Sequence, residues 1–104
     1  MPVYAIAQLT IHDRAVYDRY AERFRSMFGR FRGRLLAADE RPQVVEGSWD
    51  RQKVVLFEFP GEASFREWFD SPDYREIVKD RHASSDGVVL LVQGMVWPPA
   101  RSGA

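Results

Sequence analysis

The sequence predicts an α+β domain with the order βαββαβ, and three observations carry that reading. The runs Val54-Val55-Leu56-Phe57-Glu58-Phe59 and Val88-Val89-Leu90-Leu91-Val92 are apolar on both parities, as strands covered on both faces are. Two other stretches place apolar residues three and four apart, the spacing of a helix with one buried stripe. Turn-forming groups such as Pro60-Gly61 and Ser85-Asp86-Gly87 fall between these runs.

Residues 3–11 form the first strand, mostly apolar on both parities. Asp13 is placed to cap the helix that follows, because its carboxylate can accept from a backbone N–H of the first turn. Val16, Tyr17, Tyr20, Phe24, Met27, Phe28 and Phe31 make one stripe, so the helix is expected to stop near Phe31, with Gly33 in a left-handed terminating conformation. Residues 34–39 and 43–47 read as a second strand interrupted or bulged around Arg41-Pro42. Pro42 has no N–H to donate, so this strand belongs at an edge. Trp49-Asp50-Arg51 turns the chain into a third strand, residues 53–59. A second helical region starts near Glu62 with Phe65, Trp68 and Phe69. It restarts at Ser71-Pro72, with Ser71 as cap and Pro72 at the first helical position. Tyr74, Ile77, Val78 and Arg81 continue its spacing, and the fourth strand covers roughly 88–96. Residues 1–97 are then one domain and residues 98–104 a mobile C-terminal tail.

Right-handed crossovers turn this order into a four-stranded antiparallel sheet with both helical regions on one face, the ferredoxin-like arrangement. The other face is left bare. Apolar strands on a bare face are an association surface, and the simplest cover is a second copy, so a homodimer through the open sheet face is expected.

Composition narrows the function. With 104 residues, 45% hydrophobic and 29% charged, the chain is one small globular domain. It has no cysteine, which excludes disulfides, thiol nucleophiles and thiolate metal sites. No apolar run approaches 18 residues, and Met1-Pro2-Val3 leads into a strand rather than a signal peptide. A soluble cytoplasmic protein without a membrane partner is expected. Fifteen basic and fifteen acidic residues balance, which argues against nucleic acid as a partner. RNA-recognition modules share this topology, but Lys53–Phe59 lacks the glycines of their motif and Glu58 would repel phosphate. The local basic stretch Arg23, Arg25, Arg30, Arg32 and Arg34 reads as a solvated helix end complementing the macrodipole.

Glu58 is the sharpest chemical candidate. It lies mid-strand between Phe57 and Phe59, where desolvation would raise its pKa and suit it to acid/base work. It reads equally as half of an ion pair with an arginine such as Arg81. His82 and Arg81, near the end of the second helical region, are candidate electrostatic partners; both also suit a helix C-terminus. Gln8, Thr10 and Gln93 interrupt apolar strands and are able to orient a ligand or satisfy one another. Trp49 and Tyr74 supply aromatic lining for a pocket, or anchors for core and dimer packing. His12 and His82 stand in no nucleophile or zinc motif, so no metal and no cofactor is expected.

The ordered segments Glu46-Gly47-Ser48-Trp49, Phe57-Glu58-Phe59-Pro60, Trp68-Phe69-Asp70-Ser71-Pro72-Asp73-Tyr74 and Arg81-His82-Ala83-Ser84, followed by Val88 to Gly94, resemble the domain-of-unknown-function family thirteen-thirty, within the dimeric α+β barrel superfamily. The resemblance spans about residues 3–96. It implies a ferredoxin-like protomer whose sheet pairs with a second protomer into a barrel. Relatives in the superfamily include cofactor-free monooxygenases, isomerases and haem-dependent enzymes, so the fold alone fixes no activity. Where the family pattern ends in Glu-Gly, this chain has Gln93-Gly94. The expectation is a homodimer with a small-molecule cavity between sheet and helices. It is either a cofactor-independent enzyme acting on a small organic compound or a non-catalytic ligand-binding or dimerisation module.

Overall fold

The computed structural model describes residues 1–96. Trp97 and the expected tail at 98–104 lie outside the described residues. The chain runs β1 (Val3–Ile11), α1 (Arg14–Met27), β2 (Arg34–Asp39), β3 (Lys53–Phe59), α2 (Glu62–Phe69), α3 (Pro72–Ser84) and β4 (Ser85–Gln93). The strands form one four-stranded sheet in the order β2-β3-β1-β4, with every neighbouring pair antiparallel. This is the ferredoxin-like α+β arrangement read from the sequence. The sheet stays open rather than closing on itself.

Side-chain alternation divides the sheet into two surfaces. Val3, Ala5, Ala7 and Leu9 of β1, with Val55, Phe57 and Phe59 of β3, are buried against the helices. Register places Tyr4 opposite Glu58, Ile6 opposite Leu56 and Gln8 opposite Val54 on the other surface. On its far side β1 sets Tyr4, Ile6 and Gln8 against Val92, Leu90 and Val88. Val88, Leu90 and Val92 are 43%, 47% and 41% exposed, so within one protomer this face is apolar and uncovered.

The helices start where the sequence places their caps. Asp13 Oδ1 accepts from the Val16 N–H at 3.3 Å, and Ser71 Oγ accepts from the Tyr74 N–H at 3.1 Å ahead of Pro72. The core between helices and sheet is an aromatic cluster. Phe24 stacks on Phe28 at 4.6 Å between ring centroids, and Trp68 meets Phe57 at 5.5 Å, Phe59 at 5.6 Å and Tyr74 at 4.3 Å. Each such ring removes some 1.5–3 kcal/mol worth of apolar surface from water. Among the described residues, no helix is long and apolar enough to cross a membrane.

Four boundaries differ from the sequence reading. β2 ends at Asp39, and residues 43–47 form no strand. The irregularity lies at Leu36, between Leu35 opposite Phe57 and Ala37 opposite Leu56, rather than at Arg41-Pro42. The chain leaves the sheet where Asp39 Oδ1 accepts from the Arg41 N–H at 2.8 Å, a local turn that ends pairing before Pro42 is reached. α1 stops at Met27, and a 3-10 turn follows over Phe28–Arg30. Gly33 has no left-handed backbone; glycine is required there because a Cβ would lie 2.5 Å from both Phe28 Cζ and Phe59 Cε1. β4 begins at Ser85, directly after α3, and ends at Gln93. Ser85, Asp86 and Gly87 pair with Ile11, Thr10 and Leu9 instead of forming a turn.

Candidate functional site

β1 contributes alanine, not a larger residue, at two consecutive helix-facing positions, Ala5 and Ala7. Ala21 of α1 and Ala38 of β2 line the same space. Four methyl side chains among aromatic rings leave a cavity of about 140 Å³ between sheet and helices. Its walls include Leu9, Tyr17, Tyr20, Phe24, Val55, Phe57, Trp68, Phe69 and Val89. An apolar cavity of roughly 150 Å³ holds a benzene-sized molecule. Arg25, Leu35 and Ala38 are exposed members of the lining, so the cavity reaches solvent between α1 and the edge strand β2.

The charged groups in this wall are of one sign. Arg25, Lys53 and Arg81 line it, and among the described residues no carboxylate or histidine does. Lys53 is held near Glu40 at 3.7 Å and lies over the Tyr17 ring at 4.8 Å. Arg81 is 8% exposed and makes no ion pair among the described residues. Its Nε has no hydrogen-bond partner, and its Nη2 reaches only His82 Nε2 at 3.5 Å. Trp68 Nε1 is likewise buried without an acceptor. The Tyr20 and Tyr74 hydroxyls share one hydrogen bond of 2.8 Å. Burial, with Tyr74 alongside, drives the Tyr20 hydroxyl well above the usual phenol range against the opposing charge of Arg81, so it stays neutral. Burial together with Arg81 and Arg75 holds the His82 imidazole below its ordinary value.

Six of the eight candidate site residues fall into two separate groups, and His82 and Gln93 belong to neither. Arg81 and Tyr74 line the cavity. Gln8, Thr10 and Glu58 lie on the open face, and Trp49 joins them by donating from Nε1 to Gln8 Oε1 at 3.1 Å. Glu58 points away from Phe57 and Phe59, because neighbouring residues of a strand face opposite sides. Its charge partner is Arg34, 2.6 Å from Oε1, rather than Arg81 or His82, and the Tyr4 hydroxyl donates to Oε2 at 3.2 Å. His82 is exposed beside Arg81, and Gln93 is exposed at the end of β4 opposite Val3. Gln8 and Glu58 therefore share a face, on the far side of the sheet from the cavity. The basic stretch is engaged as well: Arg23 meets Asp80, Arg30 meets Asp73, and Arg32 donates to Ser64. Tyr20, Lys53 and the alanines were not among the sequence candidates. The available signal was the pair Ala5 and Ala7 in a strand whose other helix-facing residues are Val3 and Leu9. Among the described residues, no three His, Asp or Glu side chains are grouped to hold a metal ion.

The profile of a family described as a domain of unknown function (DUF1330) matches residues 2–95. No curated protein matches the chain. Among solved structures, a protein of unknown function from Rhodopseudomonas palustris is similar, with a TM-score of 0.76 and 20% identity over 91% of this chain and 83% of that one. A cofactor-independent oxygenase from Streptomyces nogalater superposes with a TM-score of 0.68 and 16% identity, over 95% and 98% of the two chains. A dimeric ferredoxin-like protein of unknown function from Thermobifida fusca gives 0.65 and 16%, over 90% and 92%. At these identities the likeness is one of fold.

Proposed function

Because the chain belongs to the DUF1330 family, whose description names no activity, we propose its function from geometry: it binds a small organic molecule in the cavity between sheet and helices. The observation that carries this reading is the space left by Ala5, Ala7, Ala21 and Ala38 among rings that would otherwise close-pack. We further propose that a second copy covers the open face. Exposed Val88, Leu90 and Val92 support this, as does the description of similar structures as dimeric.

Two readings of the bound molecule's fate follow. Cofactor-independent turnover is supported by the oxygenase that shares the fold. In that case the cavity acts through cations and neutral hydroxyls, since the carboxyl of Glu58 is on the other face. A non-catalytic binding module is favoured by a different observation: among the described residues, the cavity wall holds no carboxylate or histidine to move a proton near neutral pH. The test of the shared premise is to fill the space. Ala7→Phe should leave the protein folded and abolish binding of small aromatic probes such as benzyl alcohol, followed by Trp68 fluorescence or ligand-observed NMR. Unchanged binding in Ala7→Phe would place the ligand elsewhere.

A further inference from the structure

We infer that the cavity is selective for an anion, and that its ligand carries one anionic oxygen group, a carboxylate or phenolate, on a small apolar body, with Arg81 as the anchor. This deepens the small-molecule reading above and rests on it. Three independent features point the same way. Arg81 is more than nine-tenths buried, yet no acidic side chain among the described residues pairs with it, and its Nε–H has no acceptor. A guanidinium is the side chain least able to shed its charge, so burial leaves it seeking a counter-ion. The lining adds Arg25 and Lys53, the latter offset by Glu40 at 3.7 Å outside the wall, and among the described residues no acid lines the cavity, so the wall itself carries net positive charge. The neutral polar groups of the lining include the Tyr20–Tyr74 hydroxyl pair and the Trp68 indole N–H, which has no acceptor among the described residues. The acids of α3 do not fill the gap: Asp80 is taken by Arg19 at 2.9 Å and by Arg23 at 3.6 Å, Asp73 by Arg30 at 2.8 Å, and Glu76 by Lys79 at 3.0 Å. An oxyanion in the cavity supplies the acceptor that the chain lacks. The aromatic and alanine walls supply apolar contact for the rest of the ligand, and a cavity of about 140 Å³ limits that body to roughly one ring.

The experiment compares benzoate with benzyl alcohol, similar in size and different in charge, by calorimetry on the wild-type protein. Benzoate is expected to bind at least about tenfold more tightly, and Arg81→Met should remove that preference while benzyl alcohol still binds. Nitrogen-detected NMR of the wild type gives a second readout that needs no variant. The Arg81 Nε–H resonance should shift on adding benzoate and stay in place with benzyl alcohol. Equal affinity for the two probes, or a preference that survives in Arg81→Met, overturns the assignment and leaves the cavity reading standing. Failure of both probes to bind overturns the cavity reading and this inference together. Should Arg81→Met not fold, the Nε–H shift decides: an unmoved resonance at saturating benzoate overturns the role of Arg81.

Discussion

Glu58 shows how much a side chain's surroundings depend on which way its strand turns it. Between two phenylalanines in sequence, it meets neither in space and instead accepts from Arg34 and Tyr4 on the open face. Arg34 is 71% exposed, so in an uncovered protomer the pair is screened. Glu58→Gln should then cost no more than about 1 kcal/mol in a urea titration. A loss of about 3–5 kcal/mol would indicate that a second copy seals the pair from water. Asp80 and His82 both contribute to the acid branch of stability, as does Glu40, whose carboxyl is held below its ordinary value by hydrogen bonding from Arg14. Hydrogen bonding from Arg19, with the charges of Arg19 and Arg23, holds the Asp80 carboxyl below its ordinary value. That stabilisation is full above the unfolded-state pKa, about 3.9, and is lost as pH falls through the lower folded one. His82 acts in the same direction at higher pH. With its folded pKa depressed, it takes up a proton more readily when unfolded, so stability declines as pH falls below about 6.5. Thermal melts should fall with acidification, with His82→Gln flattening the upper part of the decline and Asp80→Asn the lower part. A profile unaltered by both substitutions would remove these two groups as its cause.

At the scale of elements, the caps were legible and the pairings were not. Asp13 and Ser71-Pro72 announce helix starts through chemistry confined to a few neighbouring residues. The bulge at Leu36 depends on partners in β3, and the early start of β4 depends on Ile11 and Thr10. No local signal in Leu35-Leu36 or Ser85-Asp86-Gly87 reports either. A cavity between sheet and helices was expected, but the alanines that shape it were hidden for the same reason, since an alanine makes space only if the residues facing it fail to reach across. α1 offers a direct test of the face assignment. Phe24→Ala and Phe28→Ala should each destabilise by roughly 3–5 kcal/mol, because both rings are buried in the aromatic cluster. Arg25, exposed at the cavity mouth, should tolerate Ala within about 0.5 kcal/mol. Comparable losses at Phe28 and Arg25 in guanidinium titrations would contradict this packing. Gly33→Ala should cost about 1–3 kcal/mol, as its methyl group would displace Phe28 and Phe59.

For the molecule as a whole, the sheet is a partition with unlike tasks on its two sides. Leu90 sits at the middle of the open face, opposite Ile6 and away from the cavity. Leu90→Lys should therefore weaken association of two copies in sedimentation velocity while leaving benzyl alcohol binding intact, because the ammonium would be buried unpaired only at the contact. A wild type that sediments as a folded monomer at micromolar concentration would remove the basis for that contact. The alternation that creates the partition has a further consequence. β1 carries two interleaved messages, Val3-Ala5-Ala7-Leu9 for the helix-facing core and its cavity and Tyr4-Ile6-Gln8-Thr10 for the far surface, written in one stretch of chain. A one-residue slip of β1 against β3 and β4 would exchange them, turning Ile6 and Gln8 toward the helices and the alanines outward. Substitutions can tune either message independently, but the strand's register is shared property, and a change in it spoils both at once.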